Sequence, residues 1–378
     1  MQRSHHISIY FKLVFTLLCS LLVLSGCRKE ESEPIKIGFI GGTSGRFYRL
    51  GVDGRDGSVL AVERANAAGG INGRLIKLII RDDKQNKEAL HAAFTDLHNE
   101  QVAAVIGPFT SSMAVALAPL ANQLNLVTVG PTISTNKLSG IDDFFLRNYP
   151  TSDQQAMRLA DYIAQTKKIK RISIIYDLSN KEHTESWSNS LRYYFEKLGG
   201  QIVATRQFDS AENKSYLKLA ENLLTTPTEG VFILANSRDT GLICQQLKKL
   251  GFKKPLFASE WSFTEDLLRI GGSSVEGMTI FHSYNPQDRS PRFLEFSSEF
   301  ELRFGRKPSF VSVHAYDSTN LVLTGLKAAI DPLTLKETLL ELPELNGVQN
   351  NFRLNRYGDA ERELYLTKIK EGAFILGR

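Results

Sequence analysis

Cysteine is nearly absent from this chain. Its 378 residues hold three: Cys19, Cys27 and Cys244. Cys19 lies in an apolar N-terminal run and Cys27 follows that run, so Cys244 stands alone in everything that comes after. One cysteine closes no internal disulfide, and stability must come from packed cores. Cys244 sits in Ile243-Cys244-Gln245-Gln246-Leu247, on an apolar helical face with Leu247, and reads as a small buried hydrophobe rather than a reactive thiol. Long apolar runs are also missing. Beyond residue 26 none approaches eighteen residues, which excludes a further membrane-spanning helix. Charge of one sign is missing as well. Beyond residue 26 there are 44 basic and 41 acidic residues with no Lys/Arg block, so no nucleic-acid partner is expected. Gly-x-Ser-x-Gly and His-Glu-x-x-His do not occur, and Glu260 and Asp266 lack the two-sided setting of a glycosidase pair. With no nucleophile–base arrangement in view, an enzyme is not expected. His91 and His98 are seven apart, too far for chelation, so neither a metal nor a cofactor is expected.

At the N-terminus, Arg3 and Lys12 precede a twelve-residue apolar run, Leu13 to Leu24. This is the charged region and short hydrophobic core of an export signal. The following Leu24-Ser25-Gly26-Cys27 resembles a bacterial lipobox. The resemblance implies cleavage after residue 26 and lipidation, palmitate included, of Cys27. Each buried CH₂ contributes about 0.8 kcal/mol, so several acyl chains would hold the chain at a membrane. Residues 28–34 (RKEESEP) form a polar tether. About 352 residues remain, more than one core usually accommodates, so two domains are expected.

Apolar β-rich runs alternate with helix-period segments along these residues. Strands are predicted at Ile35–Ile40, Leu75–Ile80, Val102–Ile106, Arg171–Tyr176, Ile202–Gln207, Val231–Ala235 and Leu256–Ser259. Buried helix faces are predicted at Leu90/Ala93/Phe94/Leu97, Met113/Ala116/Leu117/Leu120/Leu124 and Ala156/Leu159/Ala160/Ile163, from their i, i+3, i+4, i+7 spacing. Such alternation with short connections gives an α/β fold of open, mostly parallel sheets with helices on both faces. The alternation falls into two blocks, 34–145 and 170–282, on either side of Leu146-Arg147-Asn148-Tyr149-Pro150. Two lobes follow, with a cleft between them beyond the carboxyl ends of the strands. No repeat of 20–50 residues is apparent.

Two loops carry chemistry. Gly41-Gly42-Thr43-Ser44-Gly45 follows the first strand, but it is not Gly-x-Gly-x-x-Gly and no Gly-Lys-Ser/Thr follows, so nucleotide binding is excluded. Val105-Ile106-Gly107-Pro108-Phe109-Thr110-Ser111-Ser112 ends a strand and places hydroxyls where a helix begins. Those hydroxyls can cap the helix, or they can receive a carboxylate with help from the helix dipole.

These loops, with Ile35-Lys36-Ile37-Gly38, Ala67-Ala68-Gly69-Gly70-Ile71-Asn72-Gly73-Arg74, Asp82-Asp83, Gly130-Pro131-Thr132 and Ala315-Tyr316-Asp317, resemble type I periplasmic binding proteins. Within them the chain is most similar to the leucine/isoleucine/valine-binding branch that feeds ABC transporters. The resemblance covers about residues 34–378 and is densest over 35–150. It implies a cleft that holds an amino acid, branched-chain or of similar small size, or an amide relative. Ser111 takes the carboxylate-binding place, with Ser112 beside it. Thr132 and Ser134 offer a carbonyl and a hydroxyl to the ammonium, and Glu260 on the second lobe is its acidic partner. Read without the resemblance, Glu260 is equally a solvent-exposed loop residue. Trp261, Tyr48 and Tyr284 are candidate aromatic walls, each also readable as core. Three departures from the family stand out. His183-Thr184 replaces the family's Tyr-Gly, Asn236 and Ser237 stand where an aromatic often lines the site, and Gln85 and Thr110 occupy the places of a disulfide found in some members.

The sequence is therefore read as a lipid-anchored, exported solute-binding protein, facing the periplasm or cell exterior. Its expected partners are a small-molecule ligand, an ABC permease and ATPase, and the membrane, and a monomer is expected. Lobe 1 is expected to span 35–149 plus about 284–343, and lobe 2 to span 150–283 plus about 344–378. Hinge connections are expected near 148–151, 282–286 and 343–352. A non-transport lipoprotein regulator or sensory module with the same fold is the alternative.

Overall fold

The computed structural model describes residues 33–45, 48–212, 215–329 and 334–377. The export segment, Cys27 and residues 28–32 of the tether lie outside the described residues. From Ile35 onward the chain is one compact unit built on two large sheets.

The apolar runs form the strands. β1 (Ile35–Gly41), β2 (Ile76–Asp82), β3 (Val105–Ile106), β4 (Thr128–Gly130) and β5 (Phe145–Arg147) make a parallel sheet ordered β2-β1-β3-β4-β5. Between them run α1 (Tyr48–Ala67), α2 (Lys87–Asn99) and α3 (Ser111–Gln123). The second sheet starts after α4 (Ser152–Asp161), which runs into a π-helical turn, Tyr162–Thr166. It contains β6 (Arg171–Asp177), β7 (Gln201–Phe208), β8 (Gly230–Leu234), β9 (Leu256–Ala258) and β10 (Thr279–His282). Helices α5 (Lys181–Lys197), α6 (Tyr216–Leu224), α7 (Ser237–Lys249) and α8 (Glu265–Gly271) connect them.

The chain then forms α9 (Pro291–Phe304), α10 (Phe310–Ala328) and α11 (Leu335–Glu341), followed by five short strands. Of these, β11 (Leu345–Asn346), β12 (Asn351–Leu354) and β13 (Ala360–Glu361) form a small antiparallel sheet. β14 (Tyr365–Lys370) and β15 (Ala373–Leu376) add antiparallel to the second sheet, giving the order β15-β14-β10-β9-β8-β6-β7. Discounting that edge pair, both sheets wind in one order: second, first, third, fourth, fifth. Each therefore has a switch point between its first and third strands, where open α/β sheets bind ligands.

All seven predicted strands and the three predicted helix faces are present, and Leu90, Phe94 and Leu97, like Ala156, Leu159, Ala160 and Ile163, are fully buried. Cys244 is buried on α7. Strands β4, β5 and β10, of three or four residues, and the C-terminal strands carry too little periodicity to be predicted. His91 bonds the Ala116 carbonyl at 3.0 Å, and no metal-holding cluster occurs among the described residues.

One face of α1 is bare. Gly51, Gly54 and Gly57 recur three apart, and a Cβ on each would lie within about 2.2 Å of the Gly42 carbonyl, the Phe109 ring and the Ser312 carbonyl respectively. Only glycine lets α1 sit this close to the β1 loop, to Phe109 and to α10.

The chain passes between the sheets three times, and α10 gathers all three passages. At the first, Asn148 Nδ2 donates to the His314 carbonyl (3.3 Å) and Ser318 Oγ (3.2 Å). At the second, Ser283 Oγ and His314 Nε2 are 3.0 Å apart. At the third, Arg362 Nε donates to Asn148 Oδ1 (2.9 Å), and its Nη2 donates to Asp317 Oδ2 (2.8 Å). Asp317 Oδ1 also accepts from the Val348 amide at 2.9 Å. Asn285 and Gln349 exchange two hydrogen bonds, joining the second passage to the third. Asp317 and Arg362 are both almost wholly buried. Removing one member of such a pair strands the other, at a cost of about 3–5 kcal/mol, whereas replacing both with apolar groups is close to neutral. Asp317→Ala is therefore expected to lose about 3–5 kcal/mol in urea unfolding, and Asp317→Leu with Arg362→Met should recover only part of it, because the Val348 amide and Asn148 Oδ1 lose these partners. An Asp317→Ala loss below about 1 kcal/mol would show that the pair does not anchor the passages.

Candidate functional site

Both switch points open onto one cleft. Its narrow inner cavity is lined by Leu50, Phe109, Ser111, Thr132, Asn180, His183, Glu260, Trp261 and Phe310. Contributions come from the loops after β3, β4 and β9 and from the starts of α3, α5 and α10.

On the first sheet, Ser111 is the first residue of α3 and Thr110 is its N-cap, yet Thr110 makes no side-chain cap bond. Its hydroxyl donates instead to Gln85 Oε1 at 3.3 Å. Ser111 is 1% exposed, and its Oγ meets no hydrogen-bond partner among the described residues. A buried, unpaired hydroxyl at the start of a thirteen-residue helix is a donor in a positive field, suited to a carboxylate. Thr132 also lines the cavity, and its hydroxyl is fixed by donating to the Phe109 carbonyl at 2.8 Å. Gly107 sets the turn before them. Its φ is +118°, and a Cβ there would lie 1.9 Å from the Ile40 carbonyl oxygen, so no other residue fits.

On the second sheet, Glu260 opens the 3₁₀ turn after β9 and is 3% exposed. Trp187 Nε1 donates to its Oε2 at 3.1 Å, and Gln155 Nε2 approaches Oε1 at 3.4 Å. Burial raises this carboxyl from 4.5 to about 7 against the pull of those donors and of the Ser134 hydroxyl. His183 lies beside it, with Nδ1 2.8 Å from Ser134 Oγ and 3.9 Å from Glu260 Oε1, and Nε2 3.4 Å from Ser259 Oγ. The Trp261 ring meets the imidazole edge-on at 5.8 Å between centroids. Burial lowers His183 to about 3, so the imidazole is neutral at physiological pH. A neutral imidazole next to a carboxyl poised near neutrality leaves the cavity receptive to a cation.

A seam of hydrogen bonds closes the two sides over this cavity. The Ser112 amide donates to Asn180 Oδ1 at 3.1 Å, and Ser112 Oγ accepts from the Glu182 amide at 3.4 Å. Further along, the Asn136 amide donates to Ser186 Oγ at 2.9 Å, and Lys137 Nζ pairs with Glu182 at 2.5 Å.

The structure thus gathers Ser111, Thr132, His183, Glu260 and Trp261 around one cavity. Ser112 lies in the seam, and Ser134 is fully buried behind His183. Tyr48 and Asn236 line an adjoining chamber with Trp261. Tyr284 lines neither cavity. It packs in the core against Phe263, His282 and Phe293, because its position two residues after β10 points the ring into that aromatic stack. The sequence reading missed Gln155, Trp187 and Asn180, which act from helices and turns away from the glycine- and hydroxyl-rich loops. It also missed Phe109 and Leu50, for which the glycine face of α1 was the available signal.

The two titratable groups of the cavity oppose each other in stability. The folded chain holds the Glu260 proton more tightly than the unfolded chain does. Glu260 therefore adds stability that is strongest below pH 4.5 and is lost as the pH rises through 7. From pH 7 down to pH 5 this contribution grows by about 2 kcal/mol. His183 has the opposite sign, since only the unfolded chain takes up its proton between about pH 6.5 and 3, and stability falls across that window. Glu260→Gln removes one half of this balance. Between pH 7 and pH 5 its unfolding free energy should fall by about 2 kcal/mol relative to wild type in parallel urea titrations, and superimposable pH profiles would refute the assignment.

Comparison with known proteins places this geometry. The Leu/Ile/Val-binding protein homolog 3 of Brucella melitensis is 23% identical over 308 residues, which cover 80% of this chain and 82% of that protein. The leucine-, isoleucine-, valine-, threonine- and alanine-binding protein of Pseudomonas aeruginosa is 22% identical, covering 82% of each chain. Among solved structures, the branched-chain amino acid transporter substrate-binding protein of Streptococcus pneumoniae, in complex with isoleucine, superposes with a TM-score of 0.83 at 21% identity, over 91% of this chain and 99% of that one. A leucine-binding protein from Thermotoga maritima gives a TM-score of 0.82 at 22% identity, over 91% and 98%. These structures share the two-lobed α/β fold. The family model described as periplasmic binding protein matches residues 34–373, and the chain belongs to that family.

Proposed function

We propose that this chain is the extracytoplasmic solute-binding component of an ABC importer, that its ligand is an amino acid, and that a lipid on Cys27 holds it at the membrane. One observation carries the ligand reading: the unpaired Ser111 hydroxyl at the start of α3 and the Glu260 carboxyl line the same cavity. A molecule with a carboxylate and an ammonium on one carbon matches that pair. Its carboxylate accepts from Ser111 and the α3 amides, and its ammonium donates to the Thr132 carbonyl and Glu260. The relatives' names, which specify leucine, isoleucine and valine binding, support the same class. The polar, Cys-ended stretch after the export signal supports the anchor.

In this reading the lobes are 35–149 with about 284–343 and 150–283 with about 344–378, turning about the three passages near 148–151, 282–286 and 343–352. A ligand that touches both sides favours the closed form by its differential affinity. The seam from Ser112 to Asn180 and from Lys137 to Glu182 opens when it leaves.

Calorimetry with a panel of amino acids tests the proposal. At least one is expected to bind the wild type. Glu260→Ala should weaken that ligand by about 2–5 kcal/mol, the scale for removing one partner of a buried charge pair. Ser111→Ala should weaken it by about 1.5–3 kcal/mol, the scale for a hydrogen bond to a charged group. Unchanged affinity in Glu260→Ala would refute its role as the ammonium partner, and a panel that fails to bind wild type would refute the amino-acid class. For the anchor, Cys27→Ser should abolish incorporation of labelled palmitate. Undiminished labelling of the variant would overturn lipidation at Cys27.

A further inference from the structure

The inner cavity does not end the cleft. A second, roomier chamber adjoins it, and the two share Leu50 and Trp261 in their walls. Tyr48 and Arg49 from α1 face this chamber on one side, and Asn236, Arg238 and Arg269 face it on the other. Its character differs from that of the inner cavity, whose polar lining is Ser111, Thr132, Asn180, His183 and Glu260, with no arginine among them. Three guanidinium groups line the chamber against a single carboxylate, Asp266. Asp266 is already committed to Arg269 at 2.9 Å. Arg49 lies 3.7 Å from Asp53, but Asp53 is held more closely by Arg306 at 2.8 Å. The chamber therefore carries a net positive charge, drawn from both sides of the cleft.

We infer that this chamber receives the side chain of the bound amino acid, and that the side chain ends in an anionic group such as a carboxylate. The inference rests on the amino-acid reading of the inner cavity and names the side chain that reading leaves open. A side chain carried by a ligand held at its α-carbon between Ser111 and Glu260 would reach the chamber past Trp261 and Leu50, the wall that the two spaces share. Beyond those two residues an aliphatic side chain meets arginines, whereas a carboxylate meets planar donors that bind it in bidentate fashion. Arg49 and Arg269 are about half and about three-quarters exposed in this closed arrangement, so they form the solvent-facing rim of the chamber.

The test uses calorimetry on the full mature chain with L-glutamate, L-2-aminoadipate, L-glutamine and L-leucine. At least one of the two acidic probes is expected to bind roughly tenfold or more tighter than glutamine and leucine, since a charge-assisted pair separates glutamate from its neutral isostere glutamine. Arg238→Gln, checked for an unchanged melting curve, should weaken the acidic probe at least tenfold more than it weakens glutamine. Raising the salt should weaken the acidic probe more than the neutral ones. Leucine or glutamine binding as tightly as both acids would overturn the inference and leave the amino-acid reading standing. Equal weakening of acidic and neutral probes by Arg238→Gln would also overturn it. Failure of all four to bind, together with the wider panel, would remove the amino-acid reading and this inference with it.

Discussion

The buried pair between Asp317 and Arg362 holds the molecule's geometry together. A chain that crosses three times between two sheets needs its crossings kept in register, or the loops at the two switch points would not face one another. Asp317 achieves this from a single helix, accepting from Arg362 on the last passage and from the Val348 amide on the way to it. Arg362 reaches on to Asn148 on the first passage, and the neighbouring His314 meets Ser283 on the second. Two ions in a dry environment cost several kcal/mol of desolvation each, so the arrangement is a poor source of stability for its own sake. What it supplies is specificity of position, since each group is satisfied only when all three strands of the connection are in place.

The same logic runs through the cavity. Polar groups there are buried because two sheets close over them, and burial sets their chemistry. Glu260 would be an ordinary surface carboxylate at the mouth of β9. Covered by Trp187 and Gln155 and faced by His183, it becomes a group whose proton is held to about pH 7. His183 shifts the other way for the same reason, so one cause, loss of water, produces opposite displacements in an acid and a base 3.9 Å apart. Their opposition keeps the cavity near neutrality without a fixed buried charge.

Much of this was legible in the sequence where the signal is local. Apolar β-rich runs located the main strands, period-3.6 patterns located the faces of α2, α3 and α4, and the hydroxyl-rich turn after β3 pointed to Ser111. Glu260 could be singled out through the family resemblance, but the residues alone left it as a loop glutamate, because nothing near it in sequence reveals that Trp187 and Gln155 cover it. Those partners lie 73 and 105 residues away, and they are ordinary amphipathic-helix residues until the fold brings them together. The repeated winding of the two sheets was invisible for a related reason, since topology can recur without any residue recurring. Tyr284 went wrong through the opposite error, as an aromatic near a hinge was assigned to the cleft when the adjacent Phe263, His282 and Phe293 formed a core able to absorb it.

Closure and selectivity then follow from the same unmet groups. In the closed arrangement Ser111 Oγ is buried without a partner among the described residues, and a buried unpaired polar atom costs about 1–3 kcal/mol. The seam bonds between Ser112 and Asn180 and between Asn136 and Ser186 offset part of that cost. On the proposed amino-acid reading, a ligand carboxylate would convert the unpaired hydroxyl into a charge-assisted bond, and a ligand cation would give Glu260 a reason to release its proton. Each gain exists only when both sides are in contact, and a conformational equilibrium shifts only by such a differential. Rigidity at Asp317 and incompleteness at Ser111 are therefore complementary. The first ensures that closing brings the right groups together, and the second ensures that closing is worthwhile only around a molecule that completes them.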